Sequence, residues 1–328
     1  MAAGGRGRGK TLQRYIAGRL LLLVPTMIGV SMIVFVIMRA LPGDVALIAL
    51  GGGQGVSEEQ IAQYRKDLGL DRPLAAQYVE WVWGLVRLDP GKSLLTKASI
   101  SSEIKNRIPV TAELALGAVV LSTLIALPVG ILSAVYQDRW PDYFFRIFSI
   151  LGIALPIFWI QSLVRNLILP KYFHWLPPAG YVDFWEDIPG NLERMWLPIL
   201  LLGYAQSAII SRLTRSTMLD VLREDYIRTA RAKGLRDRGV IVRHAVRNAL
   251  LPVITLAAIQ LGTLLGGAVI TESVFGLPGV GRYALDAVRN RDYPIVQTVI
   301  VLFAAVYVVL NLVVDIVYGW VDPRVRLS

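Results

Sequence analysis

Cysteine is absent from this 328-residue chain, and histidine occurs only twice, at His174 and His244. The first absence excludes disulfides, thiolate nucleophiles and cysteine metal sites, and two imidazoles are too few for a typical zinc site. Charge is scarce as well: 18% of residues are charged while 55% are hydrophobic. A net charge of +10 would point to nucleic acid in a soluble chain. Here it must be read against several nearly uncharged windows of about 20 residues, the length that crosses a ~30 Å hydrocarbon core as a helix. The composition is that of an integral membrane protein.

Six spans can be drawn, at 20–38, 110–136, 146–168, 196–216, 251–270 and 296–318. An even number puts both termini on one side of the membrane. The N-terminal arm carries Arg6, Arg8, Lys10, Arg14 and Arg19, and an excess of Lys and Arg near span ends marks the cytoplasmic face. Dividing the 34 Lys and Arg and the 24 Asp and Glu by nearer side gives 19 against 8 inside and 15 against 16 outside. The first apolar run is long, and Ala40-Leu41-Pro42-Gly43 is a poor small-x-small cleavage site, so a retained anchor is expected rather than a secretory signal.

The longest non-membrane stretch follows the first span. Ser57-Glu58-Glu59-Gln60 has the pattern of a capping box and predicts a short helix to about Asp67, stopped near Gly69. A second, amphipathic helix is expected from Pro73, with Tyr78, Trp81, Val82 and Leu85 on one face. So small a piece cannot hold a large core alone and is expected to rest on the membrane domain, with core packing and interfacial anchoring equally open for Trp81 and Trp83. In the outer loop 171–193, His174, Trp175, Pro177, Pro178, Tyr181 and Trp185 fit an interfacial belt better than a ligand cage. Gly91-Lys92-Ser93 resembles the end of a phosphate-binding loop, but Val86 stands where the first glycine is needed and no buried strand precedes it. His174 and His244 fall on opposite sides of the membrane, so no serine–histidine–acid constellation is readable.

The densest charge lies between two spans, in the basic, helix-prone stretch 224–253. Tyr226, Ala230 and Gly234 recur at helical spacing as a stripe of small residues with an aromatic at one end, flanked by arginines. Glu224 is expected to pair with Arg228, Gly234 to stop the helix, and a second helix to run over 238–248. A basic loop lying on anionic headgroups is the plainer reading. Small residues on one face favour close approach to another protein instead.

These residues carry a resemblance. Asp225-Tyr226-Ile227-Arg228-Thr229-Ala230-Arg231-Ala232-Lys233-Gly234-Leu235, followed by Arg243-His244-Ala245-Val246-Arg247-Asn248-Ala249-Leu250-Leu251-Pro252-Val253, resembles the cytoplasmic EAA loop of ABC-importer permeases of the dipeptide/oligopeptide branch. Thr214-Arg215-Ser216-Thr217-Met218, the run from Thr271 through Phe275-Gly276-Leu277-Pro278-Gly279 to Arg282, Arg291-Asp292-Tyr293-Pro294, Asn311-Leu312-Val313-Val314-Asp315 and Asp322-Pro323-Arg324 are similar to it too. So are Leu41-Pro42-Gly43-Asp44 and Leu68-Gly69-Leu70-Asp71-Arg72-Pro73, whereas 92–99 and 171–195 are less distinctive. Arg228-Thr229-Ala230 departs from the Glu-Ala-Ala of the general pattern.

The resemblance implies an all-α polytopic membrane protein with the type I ABC importer permease fold. Its parts would be a cytoplasmic arm 1–19, a first span 20–38, an extracytoplasmic helical insert 39–109, a core 110–320 containing a coupling loop 217–250, and a cytoplasmic tail 321–328. It implies no catalytic residue and no cofactor or metal on this chain, ATP and Mg being held by two separate ATPase subunits or domains. A second homologous permease, an extracytoplasmic binding protein and the bilayer of a bacterial inner membrane are the other implied partners. Glu224, Asp225, Tyr226, Ile227, Arg228, Ala230, Arg231, Lys233 and Gly234 would make the ATPase contact, with Ala230 and Gly234 allowing close seating. Gln206, Ser207, Gln260, Thr263, Glu272, Phe275 and Asn311 are the candidate pathway or gate residues; packing between helices is the preferred reading of the polar residues within spans, and a turn-rich loop capping the fifth span is the alternative for Glu272 and Phe275. Gly262 and Gly266 form a small-xxx-small pair, and Pro128 and Pro156 are expected to kink their spans. Cargo other than peptides (a nickel chelate, a sugar, an opine-like compound) and an ion-coupled secondary transporter are the alternatives. No internal repeat supports the transporter, and Asp315 lies near the end of its span.

Overall fold

The computed structural model describes residues 5–40, 57–67 and 69–321. The motifs at 41–44 and 322–324 and residue Leu68 lie outside the described residues, as do the side chains of Asp315 and the basic N-terminal arm. Helix is the dominant regular structure among the described residues, as a lipid environment without hydrogen-bond partners for the backbone requires. Among the described residues four helices are long and apolar enough to cross a membrane, and the number of spans is up to six if each of two bent pairs is one span.

One compact unit comprises Met1–Pro109 with Gly279–Val309. It contains α1 (Gly5–Ala40), α2 (Glu58–Asp67), α3 (Leu74–Val86), the first turns of α4 (Ile100–Val135), α10 (Val280–Arg289) and the first half of α11 (Tyr293–Val321). The capping box at Ser57 forms as expected: Ser57 Oγ accepts from the Gln60 amide at 3.2 Å, and Gln60 Oε1 accepts from the Ser57 amide at 3.0 Å. The insert rests on α1 through the face read from the sequence. Tyr78 shares a 2.8 Å hydroxyl bond with Ser31, and Phe35 stands edge-on to Tyr78 and stacks on Trp81 at ring distances of 5.4 and 6.1 Å. Trp81 is thus a packing residue, while Trp83 is 55% exposed. Leu94, Ile100 and Ile104 join Val34 and Met38 with Val280, Tyr293 and Val296 in one apolar core.

The Gly-Lys-Ser near miss becomes a structural lock within this unit. Ser93 Oγ donates to Asp292 Oδ2 at 2.5 Å, and the Leu94 amide donates to Asp292 Oδ1 at 3.2 Å. The hydroxyl also accepts from the Thr96 amide at 2.9 Å. A carboxylate of the chain itself therefore fills the amide cradle, and both Ser93 and Asp292 are buried.

The other unit comprises Val110–Pro278 with Leu310–Ser328. It holds the rest of α4, α5 (Trp140–Ala154), α6 (Ile157–Leu163), α7 (Ile188–Leu222), α8 (Asp225–Ala232), α9 (Arg247–Phe275) and the end of α11. Helix α7 is central, with α5 and α9 packed along it. Close approach depends on glycine: a Cβ on Gly130 would meet Ser211 O at 2.7 Å, and one on Gly152 would meet Ala208 Cβ at 2.7 Å. Gly266, by contrast, has nothing within 4 Å.

The kink expected at Pro156 in the span 146–168 is present and sharp. Its two halves meet at 99°, because Pro156 has no amide to donate and forces Leu155 out of the helix to φ −97°, ψ 131°. The chain restarts as α6 and widens into π-helical turns over Val164–Phe173. Pro128, in contrast, lies within an uninterrupted α4.

The lock at Asp292 gives a direct test. Asp292→Ala leaves the buried Ser93 hydroxyl and Leu94 amide without their acceptor, at a cost of about 1–3 kcal/mol for each group left unpaired. Amide exchange at residues 93–96 is expected to quicken and the unfolding midpoint to fall, and exchange identical to the unsubstituted protein would refute the lock.

Candidate functional site

Helix α8 carries most of the residues that the sequence marks as a contact for a partner. Glu224 precedes it with extended backbone (φ −66°, ψ 146°), which removes Glu224 from helical register. The expected Glu224–Arg228 pair is accordingly replaced by Asp225–Arg228 at 3.4 Å, on the water-exposed surface. Arg231 reaches Asp237 at 3.3 Å.

The stripe Tyr226–Ala230–Gly234 does not form one exposed face. Ile227 is fully buried and Ala230 is 8% exposed, and both pack on Ala134, Met218, Val240, Ala245 and Ala249 of the same chain. Ala230 therefore seats α8 on its own unit, which corrects its expected part in close seating of a partner. Tyr226 is half exposed, and its hydroxyl accepts from Asn248 Nδ2 at 2.7 Å. At 100° per residue, the face opposite Ile227 and Ala230 consists of Asp225, Arg228, Thr229 and Ala232, all exposed. Small residues are thus present on the outward face, but they are Thr229 and Ala232.

Gly234 ends the helix as expected, by geometry. Its φ is +79°, its amide donates to Arg231 O at 2.9 Å, and the Leu235 amide returns to Ala230 O at 3.4 Å, the two bonds of a Schellman cap. The expected second helix over 238–248 falls within Asp237–Leu250, whose backbone is continuous with α9 but which is bent by 45° from Pro252–Leu264. A short turn at Asp237–Gly239 passes through π-helical Val240–Val246 directly into α9. The apolar seat thus joins α8 to the ends of α4 and α7 and to the beginning of α9.

Several of the candidate pathway residues are engaged between helices. Gln260 on α9 donates to Gln206 on α7 at 2.8 Å, and Thr263 lies beside it, its hydroxyl 3.3 Å from Gln260 Oε1. Ser207 is buried and donates to Tyr204 O on its own helix. Glu272 is fully buried and accepts from the Thr111 hydroxyl of α4 at 2.6 Å. Phe275 is buried, with the Arg165 guanidinium 5.9 Å from its ring, and Asn311 is half buried. Sequence reading missed the partners Thr111, Gln161 and Arg165. Gln161, fully buried, donates to Thr271 at 2.8 Å, and Arg165 donates to Val274 O at 2.7 Å. The only signal for them was polarity inside apolar runs.

A second polar knot binds three helix ends. Arg215 of α7 donates twice to Asp142 of α5, at 2.9 and 2.8 Å, and Ser133 of α4 donates to the same carboxylate at 2.5 Å. In the outer loop, Tyr181 donates to Glu113 at 2.9 Å, and burial, reinforced by that carboxylate, pushes the phenol up, so it stays a protonated donor. Trp175 and Tyr181 pack on the apolar core of this unit, whereas Trp185 is 86% exposed. No group of His, Asp and Glu suited to a metal ion occurs among the described residues.

This architecture is that of a polytopic α-helical membrane protein. Residues 126–327 match the model of the binding-protein-dependent transport system inner membrane component, and residues 12–115 match the N-terminal model of such membrane components. The chain belongs to that family. It is 39% identical to the dipeptide transport system permease protein of Escherichia coli (strain K12), over 95% of this chain and 98% of that protein. It is 38% identical to the di/tripeptide transport system permease protein of Pseudomonas aeruginosa (strain UCBPP-PA14), over 95% and 98%. Among solved structures, its fold is shared with a chain of a methionine ABC transporter in inward-facing conformations (TM-score 0.56, 16% identity, 67% of this chain and 96% of that one). A chain of an amino acid ABC transporter also shares it (TM-score 0.51, 15% identity, 69% and 95%). The protein is membrane-embedded, as its exposed apolar helix faces require: Leu116, Val120 and Leu124 of α4 are each more than half exposed.

The seat of α8 separates two kinds of substitution. Ile227→Ala is expected to cost about 2–5 kcal/mol by opening a cavity in a fully buried site. Ala232→Leu, one turn away on the exposed face, should change stability by less than about 0.5 kcal/mol. Denaturant titration of the solubilised protein measures both, and equal losses would refute the assigned orientation of α8.

Proposed function

We propose that this chain is the permease subunit of an ABC importer for dipeptides or oligopeptides delivered by an extracytoplasmic binding protein. Near-full-length identity of 38–39% to dipeptide and di/tripeptide permeases carries the cargo assignment. The geometry of α8 supports the coupling role. Its inner face is fixed by Ile227 and Ala230, while Asp225, Arg228, Thr229 and Ala232 face outward. In this reading the outer face sits in a cleft of a separate ATPase subunit, where Thr229 and Ala232 permit close backbone approach. Arg228, Arg231 and Lys233 meet acidic groups there, and such exposed charges set orientation more than affinity.

ATP and Mg are bound by the ATPase subunits, and this chain supplies no hydrolytic group. When those subunits close, α8 is displaced. Because it is packed on the ends of α4, α7 and α9, the displacement passes into those helices instead of being absorbed by a loop. Two permeases, this one and a homologous partner, then alternate between inward-open and outward-open states. Differential seating of α8 in the two states is the source of the work. The chain lies in the bacterial inner membrane with both termini in the cytoplasm, in agreement with 19 basic against 8 acidic residues assigned to that side.

Two experiments test this reading. Thr229→Trp and Ala232→Trp should abolish stimulation of ATP hydrolysis by the peptide-loaded binding protein while membrane insertion is unchanged, and normal stimulation in both would sink the coupling assignment. For topology, the native chain has no cysteine. Single cysteines at Gly18 and Trp185 should therefore report sidedness cleanly, with only Trp185→Cys labelled by an impermeant maleimide from outside.

A further inference from the structure

A cavity of about 440 Å³ lies within the Val110–Pro278 unit, at the end of α7 that leads into α8. Its wall includes Arg146 of α5 and Arg212, Arg215 and Arg223 of α7, against one acid, Asp220. Arg215 is neutralised by Asp142 at 2.8 Å. Arg212 and Arg223 make no ion pair among the described residues, and Arg146 has only the Tyr143 ring, 5.7 Å away. Three unpaired guanidinium groups against one carboxylate leave an excess of two positive charges in a recess whose volume suits a small ligand.

The α7 members are ordered by helical spacing. Arg212, Ser216, Leu219 and Arg223 follow at steps of four, three and four, so they share one face over three turns. Ser149 and Ser211, bonded to each other at 2.8 Å, make part of the polar floor. The recess occupies the last turns of α4 and α7 and the middle of α5, near the ends of the spans drawn from the sequence, where the proposed topology puts the headgroups. Its apolar edge continues onto the outer face of α5, where Phe144, Ile147 and Ile150 are 58%, 58% and 53% exposed. A guanidinium cluster beside an exposed apolar helix face matches a molecule with an anionic phosphate at one end and acyl chains at the other.

We propose that this recess binds the phosphate headgroup of an anionic phospholipid. Arg212, Arg223 and Arg146 supply the positive field that holds the headgroup, with Arg212 and Arg223 about 16 Å apart along α7, and the acyl chains lie along Phe144, Ile147 and Ile150. Placement in the cytoplasmic leaflet rests on the topology proposed above, but the binding chemistry does not. The bound lipid bridges α5 and α7 next to the α8 seat, so it stiffens the element through which coupling passes.

The test uses the purified full-length chain in neutral detergent, with binding followed by native mass spectrometry. Dioctanoyl phosphatidylglycerol, dioctanoyl phosphatidylcholine and inorganic phosphate are the three probes. Phosphatidylglycerol should bind at least tenfold more tightly than phosphatidylcholine. Arg212→Gln combined with Arg223→Gln should weaken it at least tenfold, Arg212→Lys with Arg223→Lys should recover most of the loss, and Arg236→Gln, an exposed cation outside the recess, should have no effect. Equal binding of phosphatidylcholine, or unchanged binding in the double glutamine variant, overturns the proposal. Inorganic phosphate that displaces the lipid at equal concentration overturns the lipid source in favour of a free anion. Both substituted arginines are exposed and outside the Asp142–Arg215 pair, so an unaltered unfolding midpoint confirms that the fold is retained. No ATPase or uptake is involved, so a negative result leaves the permease reading standing.

Discussion

Hydrocarbon supplies no hydrogen bonds, and several polar side chains within the apolar helices of this protein are held by a partner on another helix. Gln260 meets Gln206, Glu272 meets Thr111, Gln161 meets Thr271, and Ser149 meets Ser211. Each such pair fixes the register of two helices, because sliding either by one turn, about 5.4 Å, would break the bond and leave both groups unpaired. The Asp142–Arg215–Ser133 knot does the same for three helix ends at once. Breaking a buried pair of this kind is costly, whereas its net contribution over an apolar replacement is small, so register and specificity are its main product.

In the proposed coupling role, that fixed register is what lets α8 act on the helices it touches. An amphipathic helix of eight residues is too short to be stable by itself. Its stability comes from Ile227 and Ala230 on the apolar seat and from the Gly234 cap. Because the seat is made from α4, α7 and the π-helical lead into α9, movement of α8 changes the packing of all three. The basic recess lies a few turns away on α7 and α5, so the seat and the recess share the same helix ends.

Much was legible in the sequence. The capping box at Ser57, the aromatic face of α3, the stop at Gly234 and the apolar spans follow from local chemistry: hydroxyl-to-amide reach, helical periodicity, and the left-handed conformation that glycine adopts freely. Less legible was orientation. The spacing of Tyr226, Ala230 and Gly234 places them in one stripe, but spacing alone does not say whether a stripe faces a partner or the chain's own core. The structure buries Ala230 and leaves Thr229 and Ala232 outward.

The sequence by itself determined that the chain is helical, membrane-embedded and basic between two spans, because hydropathy and periodicity are local properties read within twenty residues. Only tertiary structure decided which polar groups pair, how far the chain turns at Pro156, and that Asp292 fills the cradle at Ser93, nearly two hundred residues away. Those outcomes depend on which helices meet. A bend angle, a buried carboxylate or an unpaired arginine is defined by neighbours that the local sequence does not contain.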